Sequence, residues 1–322
     1  MKTKTILLVG FGNIGKRYLE GILELRYNLK IYLIDININA LDKAKLISKN
    51  KFEKNLSNKE IIAKSTINEV KEESIDLSIL TTTADVRFEL INSIVKKFNV
   101  RSWILEKVLA QSENQVFKIN NLIGDKSSCW VNTPRRAMKW YADIKKKLLN
   151  LKKSPLKFEV SGGNWGLACN AVHFLDLVSW ITDSEICELK VINNKIWENS
   201  KRKNFKELFG RIKVKYSDNS NLIMTCDNTK TTRNISVMIN NDYWLIDELN
   251  GLATGPNNQI IKGRLEYQSN IITEIINDIF HKKTCSLTSL EESSKQHIYL
   301  LNELLINFNK TNKQNFKILP IT

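Results

Sequence analysis

The sequence is poor in the residues that build metal centres and disulfide frameworks. It carries 3 histidines and 5 cysteines in 322 residues, with no Cys-x-x-Cys pair. An odd cysteine count without that pair argues against a disulfide scaffold and against a structural zinc site. Three histidines leave little for a His-rich centre, so no metal is expected. Nor does any apolar run approach the roughly 18 residues of a membrane span. A short apolar run follows the basic start Met1-Lys2-Thr3-Lys4, but it passes straight into Gly10-Phe11-Gly12. With no cleavage-site pattern, a strand explains it better than a signal peptide. The expectation is a cytoplasmic protein with no membrane partner. Acidic residues are outnumbered, 34 Asp+Glu against 49 Lys+Arg, giving a formal charge of +15. Such a balance can serve nucleic acid, acidic membranes or an anionic substrate. Here the lysines are spread along the whole chain. The denser spots, Lys145-Lys146-Lys147 and Lys201-Arg202-Lys203, lack interleaved aromatics, and no helix-turn-helix, RNA-recognition or zinc-finger signature occurs. The charge reads as a solvated surface, and no nucleic-acid partner is expected. Internal repeats and low-complexity linkers are absent as well.

What is present is an ordinary globular composition, 42% apolar and 26% charged, long enough for about two domains with real cores. Ile6-Leu7-Leu8-Val9 reads as a buried strand. Gly10-Phe11-Gly12-Asn13-Ile14-Gly15 follows at once, and then an amphipathic helix from Lys16 to about Arg26, with Tyr18, Leu19, Ile22 and Leu23 on one face. In strand, G-x-G-x-x-G, helix, the first glycine allows the tight turn. The second lets the backbone approach a pyrophosphate, and the third lets helix and strand pack closely. The helix amino terminus then turns free N–H groups and a positive dipole end toward the phosphates. A second strand, Lys30 to Asp35, ends in an acid twenty residues after Gly15, where a carboxylate can bind the adenosine ribose hydroxyls. That carboxylate repels a 2′-phosphate, and Ile36 offers no cation, so NAD(H) is expected over NADP(H).

Residues 38–50 read as a helix, and 51–73 as a short strand and a short helix. The next strand, Ile75 to Leu80, ends in Thr81-Thr82-Thr83-Ala84, small hydroxyl residues suited to a loop beneath a dinucleotide; Thr83 can equally cap the helix 84–98. Strand 101–106, helix 110–123 and strand 128–132 complete the alternation of a doubly wound parallel sheet. Strand 101–106 delivers Glu106 and Lys107 to its carboxyl end, where open α/β sheets bind ligands. A lysine there, against a cofactor and away from bulk water, can handle protons.

These features together resemble one family. The amino-terminal G-x-G-x-x-G, Asp76 leading into the Thr-rich strand end, and Glu106-Lys107 at the next strand end are similar to the glucose–fructose oxidoreductase / inositol dehydrogenase / rhizopine catabolism (Gfo/Idh/MocA) family. The resemblance covers nearly the whole chain, to the closing Leu319-Pro320. It implies a Rossmann domain, residues 1–131, and a substrate-binding and oligomerisation α/β domain with a large open, mostly antiparallel sheet, residues 132–322. It also implies NAD(P)-dependent chemistry at a sugar or cyclitol carbon, and a homodimer or homotetramer. The family's Glu-Lys-Pro reads Glu-Lys-Val here. Its Asp-x-x-x-His-x-x-Asp is matched at His173 and Asp176, with Cys169 in the place of the first Asp. Gly163-Asn164-Trp165-Gly166 followed by Cys169-Asn170-x-x-His173 resembles a subgroup of bacterial surface-sugar biosynthesis. The implied cofactor set is Gly10, Gly12, Asn13, Ile14, Gly15, Asp35, Ile36, Thr81, Thr82, Thr83, Glu106, Lys107 and Trp165, with Lys107 and His173 catalytic.

The second half also carries its own signals. Residues 170–182 read as a helix on which Asn170 lies one turn before His173 and Asp176 nearly one turn after. Asn170 could orient the imidazole and Asp176 could supply charge beside it, and the spacing selects neither. Arg135 and Arg136, at the start of a helix 135–149, suit carboxylates and phosphates. One of them is expected to hold an acidic sugar or a nucleotide diphosphate, with Tyr141 lining the same cleft. From Phe209 onward, alternation marks antiparallel strands joined mostly by hairpins, with turns at 218–220 and 240–242. Helices at about 264–280 and 287–308 close the chain. The expected function is hydride transfer between NAD(H) and a secondary alcohol or keto carbon of an acidic or activated sugar. Two rivals are a non-catalytic sensor that keeps the dinucleotide pocket, which the cysteine at 169 favours, and a lyase or epimerase that recycles a bound cofactor.

Overall fold

The computed structural model describes residues 2–52, 59–151 and 154–322. The chain divides into two compact units. One comprises Met1–Leu109, Phe117–Asn132 and Glu266–Glu291; the other comprises Ala110–Val116, Thr133–Leu265 and Glu292–Thr322.

In the first unit the short apolar runs become strands and the amphipathic segments between them helices. They run β1 (Lys4–Val9), α1 (Asn13–Leu23), β2 (Leu29–Ile34), α2 (Ile38–Phe52), β3 (Lys59–Lys64), β4 (Ser74–Ile75), β5 (Leu77–Leu80), α3 (Ala84–Lys97), β6 (Asn99–Val100), β7 (Ser102–Leu105), α4 (Glu113–Ile123, of this unit from Phe117 on) and β8 (Ser128–Val131). Consecutive residues Ile6, Leu7 and Leu8 are all buried, as both-face burial within a parallel sheet requires. Residues 53–58, within the stretch expected to hold a short strand and helix, lie outside the described residues. The rest of that stretch supplies β3 and a single 3-10 turn at Ile67–Glu69. The strand expected over 75–80 is interrupted at Asp76. Its carboxylate accepts from the Thr5 amide at 3.0 Å and from Lys4 Nζ at 3.1 Å, and Ser74–Ile75 pair instead with β6. The helix expected from 110 begins at Glu113, because Ser112 Oγ accepts from the Gln115 amide and caps it.

The second unit contains α5 (Lys139–Leu151), β9 (Lys157–Gly163), α6 (Leu167–Thr182), β10 (Ile186–Asn199), β11 (Lys206–Tyr216), β12 (Asn221–Asp227), β13 (Asn234–Ile239), β14 (Asp242–Asp247), β15 (Leu252–Thr254) and β16 (Ile260–Lys262). The chain ends with α7 (Gln268–Lys282), β17 (Thr288–Ser289) and α8 (Leu290–Asn312). Of these, α7 and β17 belong to the first unit. There α7 lies against α1 at Gly21, where a Cβ would stand 2.5 Å from the Ser269 carbonyl oxygen.

The first unit's sheet has seven strands in the order β17-β8-β7-β5-β1-β2-β3, all parallel except β17. The order reverses between β1 and β5, and the crevice outside their carboxyl ends is the topological switch point of a Rossmann sheet. The second unit's sheet has eight strands, β10-β11-β12-β9-β13-β14-β15-β16, antiparallel save for the β9–β12 pair. Neither β9 nor β10 was expected. β9 separates β12 from β13, so only β11–β12, β13–β14 and their like are hairpins. Ile212, Val214 and Tyr216, with Leu222, Met224 and Cys226, form the buried face. It lies under α6, where the Tyr216 hydroxyl donates to the Leu175 carbonyl at 3.3 Å. Among the described residues no helix is long and apolar enough to cross a membrane.

Candidate functional site

In the first unit the glycine-rich turn is built as its spacing requires. Gly10 has φ +92, and a Cβ there would meet Thr81 Oγ1 and the Thr82 amide. A Cβ on Gly15 would stand 2.1 Å from the Gly10 carbonyl oxygen. Gly12 differs, since a Cβ on it would meet nothing within 4 Å. Internal packing does not explain glycine at 12, whereas close approach of a ligand to that backbone does. Gly12 is the N-cap of α1, with no side-chain cap. The first-turn amides of Asn13, Ile14 and Gly15 therefore open toward the same space. These residues fit a dinucleotide pyrophosphate.

Asp35, just past β2, accepts from the Phe11 amide at 2.5 Å through Oδ2 and from the Asn37 amide at 2.7 Å through Oδ1. It thereby fixes the glycine-rich turn to the end of β2, with lone pairs left over for ribose hydroxyls. Ile36 is 92% exposed. Beside Asp35 opens a cleft of about 510 Å³ lined by Phe11, Gly12, Asn13, Lys16, Asn37 and Lys43 among others. Two lysines therefore border this cleft. Position 36 offers no cation, but Lys16, directly after the last glycine, is one that the sequence itself displays.

At the next strand end, Thr81 Oγ1 donates to the Gly10 carbonyl at 2.6 Å and the Val9 carbonyl at 3.2 Å, joining β5 to the turn. Thr83 holds the N-cap position of α3 without a side-chain cap bond. Beyond β7, Glu106 is turned into the first unit. Its Oε1 accepts from Asn132 Nδ2 at 2.5 Å and from the Tyr18 hydroxyl at 3.2 Å. Burial pushes its carboxyl above the ordinary range, against the pull of Asn132, Lys107 and Arg87. Burial and Glu106 likewise raise Tyr18, which stays a donor. The bonds from Asn132 and Tyr18 brace the strand end through Oε1 of Glu106, a residue of the expected cofactor set. Lys107 is half-buried at the carboxyl end of β7, and the Lys107–Val108 peptide is cis.

In the second unit, Gly166 at φ +78 turns the chain into α6, which starts three residues earlier than expected. Glu207, from β11, explains the early start. Its Oε1 accepts from the Ala168 amide and, at 3.0 Å, from the Leu208 amide, a carboxylate on a helix amino terminus. Sequence reading missed Glu207, which lies 39 residues from the amide it caps. Asn170 Nδ2 donates to the Trp165 carbonyl at 2.7 Å. Trp165 Nε1 donates to the Thr225 carbonyl at 2.9 Å, and its ring stands edge-on to Phe174. His173 is half-buried on α6.

Arg135 is buried in a 3-10 turn, Pro134–Ala137, and binds Glu248 through both Nε (2.8 Å) and Nη2 (3.0 Å). The Tyr141 hydroxyl donates to Glu248 at 2.6 Å, and Arg233 also binds it. Phe174 lies under the Arg135 guanidinium at 4.5 Å. Burial pushes the Glu248 carboxyl up, but Arg135 and Arg233 outweigh it and hold it at about 2. Arg136 binds Asp176 at 2.7 and 3.1 Å and Glu292 at 2.7 and 3.1 Å. Both arginines, of which one was a candidate anion receptor, are thus held by carboxylates, Tyr141 is buried within the Glu248 cluster, and the charge of Asp176, one of two candidate partners for His173, is matched by Arg136. Among the described residues no group of three or more His, Cys, Asp or Glu is disposed to hold a metal ion.

No family model matches the sequence, and no curated protein matches it. Solved structures match its fold. A super-repressor mutant of Gal80p from Saccharomyces cerevisiae aligns over 96% of this chain and 97% of its own, at TM-score 0.73 and 14% identity. Scyllo-inositol dehydrogenase from Lactobacillus casei, solved with bound NAD(H) and scyllo-inositol, aligns over 96% and 98%, at 0.68 and 15%. A Gfo/Idh/MocA family oxidoreductase from Vibrio cholerae aligns over 97% and 100%, at 0.68 and 14%. The chain has the Gfo/Idh/MocA fold. The expected pairing of a Rossmann sheet with a mostly antiparallel one holds throughout.

Proposed function

We propose that this protein is an NAD(H)-dependent oxidoreductase acting on a secondary alcohol or keto carbon of a sugar or polyol. The observation that carries the reading is the open space at Gly12, at a switch point beside β5, with Lys107 just past the carboxyl end of the next strand, β7. The nicotinamide, when bound, supplies or accepts the hydride. In this reading the amides of Asn13, Ile14 and Gly15 hold the pyrophosphate, and Asp35 accepts from the ribose hydroxyls. Lys107 Nζ donates to the reacting oxygen and stabilises its alkoxide character. His173, on α6, carries the proton, with Asn170 beside it on the same helix, and Trp165 completes the cofactor set. Support for NAD(H) comes from Asp35 and from the L. casei enzyme, which was solved with that cofactor. An acidic or nucleotide-activated sugar of surface-polysaccharide synthesis is the finer reading. It rests on the Gly-Asn-Trp-Gly and Cys-Asn-x-x-His pattern, not on Arg135 and Arg136, which are paired with Glu248, Asp176 and Glu292.

A homo-oligomer and a cytoplasmic location belong to the same proposal. On the outward face of the second unit's sheet, Met238 and Tyr243 are directly paired, with Leu245 beside them, and all three are exposed. Apolar side chains exposed side by side on one sheet face support contact with another chain. All five cysteines are free thiols, which suits a reducing compartment.

The test follows NADH absorbance and product mass with scyllo-inositol, sugar acids and UDP-sugars, for the wild type and Lys107→Met. Turnover on one of them should fall at least about a hundredfold in the variant, with NADH affinity within a few-fold. A Lys107→Met protein that keeps full activity defeats the mechanism. Tight NADH binding without turnover on any substrate points instead to a sensor.

A further inference from the structure

Arg87, the fourth residue of α3, is 1% exposed. A fully buried guanidinium is uncommon, and its donors must be satisfied inside the fold. Nη1 donates to the carbonyl oxygens of Val108 and, at 3.1 Å, Leu109. Nη2 donates to the carbonyl oxygen of Thr82. One side chain thus ties together the carboxyl ends of β5 and β7. The residues it holds are the two that follow Lys107 and the one that follows Thr81. Thr81, in turn, is hydrogen-bonded to the Gly10 carbonyl. A continuous path of bonds therefore runs from the glycine-rich turn through Thr81, Thr82, Arg87 and Val108 to the peptide of Lys107, all within the first unit. The positive charge of Arg87 also falls on Glu106, the residue before the lysine. A planar fork with separate donors can bridge two strand ends in this way, and a single ammonium cannot.

We propose that Arg87 is a positioning residue, which fixes the Lys107 turn relative to the glycine-rich turn so that the lysine amine meets the bound dinucleotide. It touches neither reactant and acts through the backbone on either side of the lysine. The proposal rests on the reading of Lys107 given above.

The experiment uses the full chain as wild type, Arg87→Lys and Arg87→Met. Arg87→Lys retains the charge and stem, so it carries the test if Arg87→Met does not fold, as a thermal melt will show. Each protein is acetylated in trace amounts with and without saturating NADH, and rates at individual lysines are read by mass spectrometry. Lys213, exposed on the second unit's sheet, is the internal control, and NADH affinity is measured by fluorescence. In the wild type NADH should protect Lys107. In Arg87→Lys that protection should fall about tenfold, the loss of charge-assisted hydrogen bonds, while NADH affinity stays within about threefold and Lys213 is unchanged. A fall in Lys107 protection matched by faster acetylation of Lys59, buried in β3 of the same unit, would mark a general loosening of the first unit and would overturn the proposal. Protection of Lys107 that stays at the wild-type level in Arg87→Lys overturns the positioning role alone. A wild-type Lys107 that NADH does not protect overturns the reading of Lys107, and the proposal with it.

Discussion

Arg135→Met separates two meanings of a buried arginine. If the guanidinium faces a substrate anion, its removal raises KM and leaves the fold intact. The structure gives it another task, the bidentate partner of Glu248, stacked on Phe174 at 4.5 Å. Breaking a buried pair from one side costs about 3–5 kcal/mol. Glu248 keeps Arg233 and Tyr141, so the lower end, about 3 kcal/mol, applies. For a unit of this size that is a fall in Tm of about 6–12 °C. Linkage gives a second, independent signature. The Glu248 carboxyl is held at about 2 in the folded protein, against about 4.3 when unfolded. A depressed folded value stabilises above the unfolded one and loses its effect as pH falls through the folded one. The wild type therefore carries about 3 kcal/mol at neutral pH that disappears between about pH 4.3 and 2. In Arg135→Met the depression shrinks, so the two proteins should differ most at pH 7 and converge in acid. Urea unfolding at several pH values reads both effects. A variant as stable as wild type at pH 7, with KM alone raised, would refute this account and restore Arg135 as an anion receptor.

Two further outcomes follow from the same geometry. Asp35→Ala removes the acceptor of the Phe11 and Asn37 amides as well as the ribose acceptor, so NADH affinity measured by fluorescence should fall about ten- to a hundredfold and the gap to NADPH should narrow. A wild type that already prefers NADPH would mean that Lys16 and Lys43, not Asp35, set the choice. Tyr243→Lys with Leu245→Lys places charge on the exposed sheet face, and sedimentation should show a shift from oligomer toward 37.2 kDa; a wild type already at that mass removes the face from consideration.

The first unit was legible because its strands are buried on both faces and read as short unbroken apolar runs, punctuated by glycines and threonines at the ends that matter. Turns were legible where the side chain decides the backbone. Asn240 and Asn241 both take positive φ in the two-residue loop between β13 and β14, as a primed hairpin turn needs. β9 escaped because its alternation covers only Phe158 and Val160 before two glycines, too little to signal a central strand. The carboxylates that bind Arg135 and Arg136 escaped for a different reason. Glu248 lies 113 residues from Arg135, and Glu292 lies 156 from Arg136. An arginine facing a ligand and one facing a distant glutamate look alike in sequence. Arg87 was hidden in the same way, since its partners are main-chain oxygens that carry no residue signature.

The return of α7 to the first unit has a consequence for how the protein is made. Gly21 lies so close to this helix that Thr273 Oγ1 bonds its carbonyl oxygen at 2.9 Å, and Ile271, Ile272, Ile275, Ile276 and Ile279 are buried. A nascent chain that has emerged only through β8 has every glycine and threonine of the proposed nucleotide site, yet α1 lacks its cover. The first unit can be completed only after α7, ending at Lys282, and β17, ending at Ser289, have left the ribosome. By then most of the second unit has already been synthesised. A gene fragment cut after β8 should therefore express as a sticky, partly collapsed product. The amino-terminal half is the first to be translated and among the last to be finished.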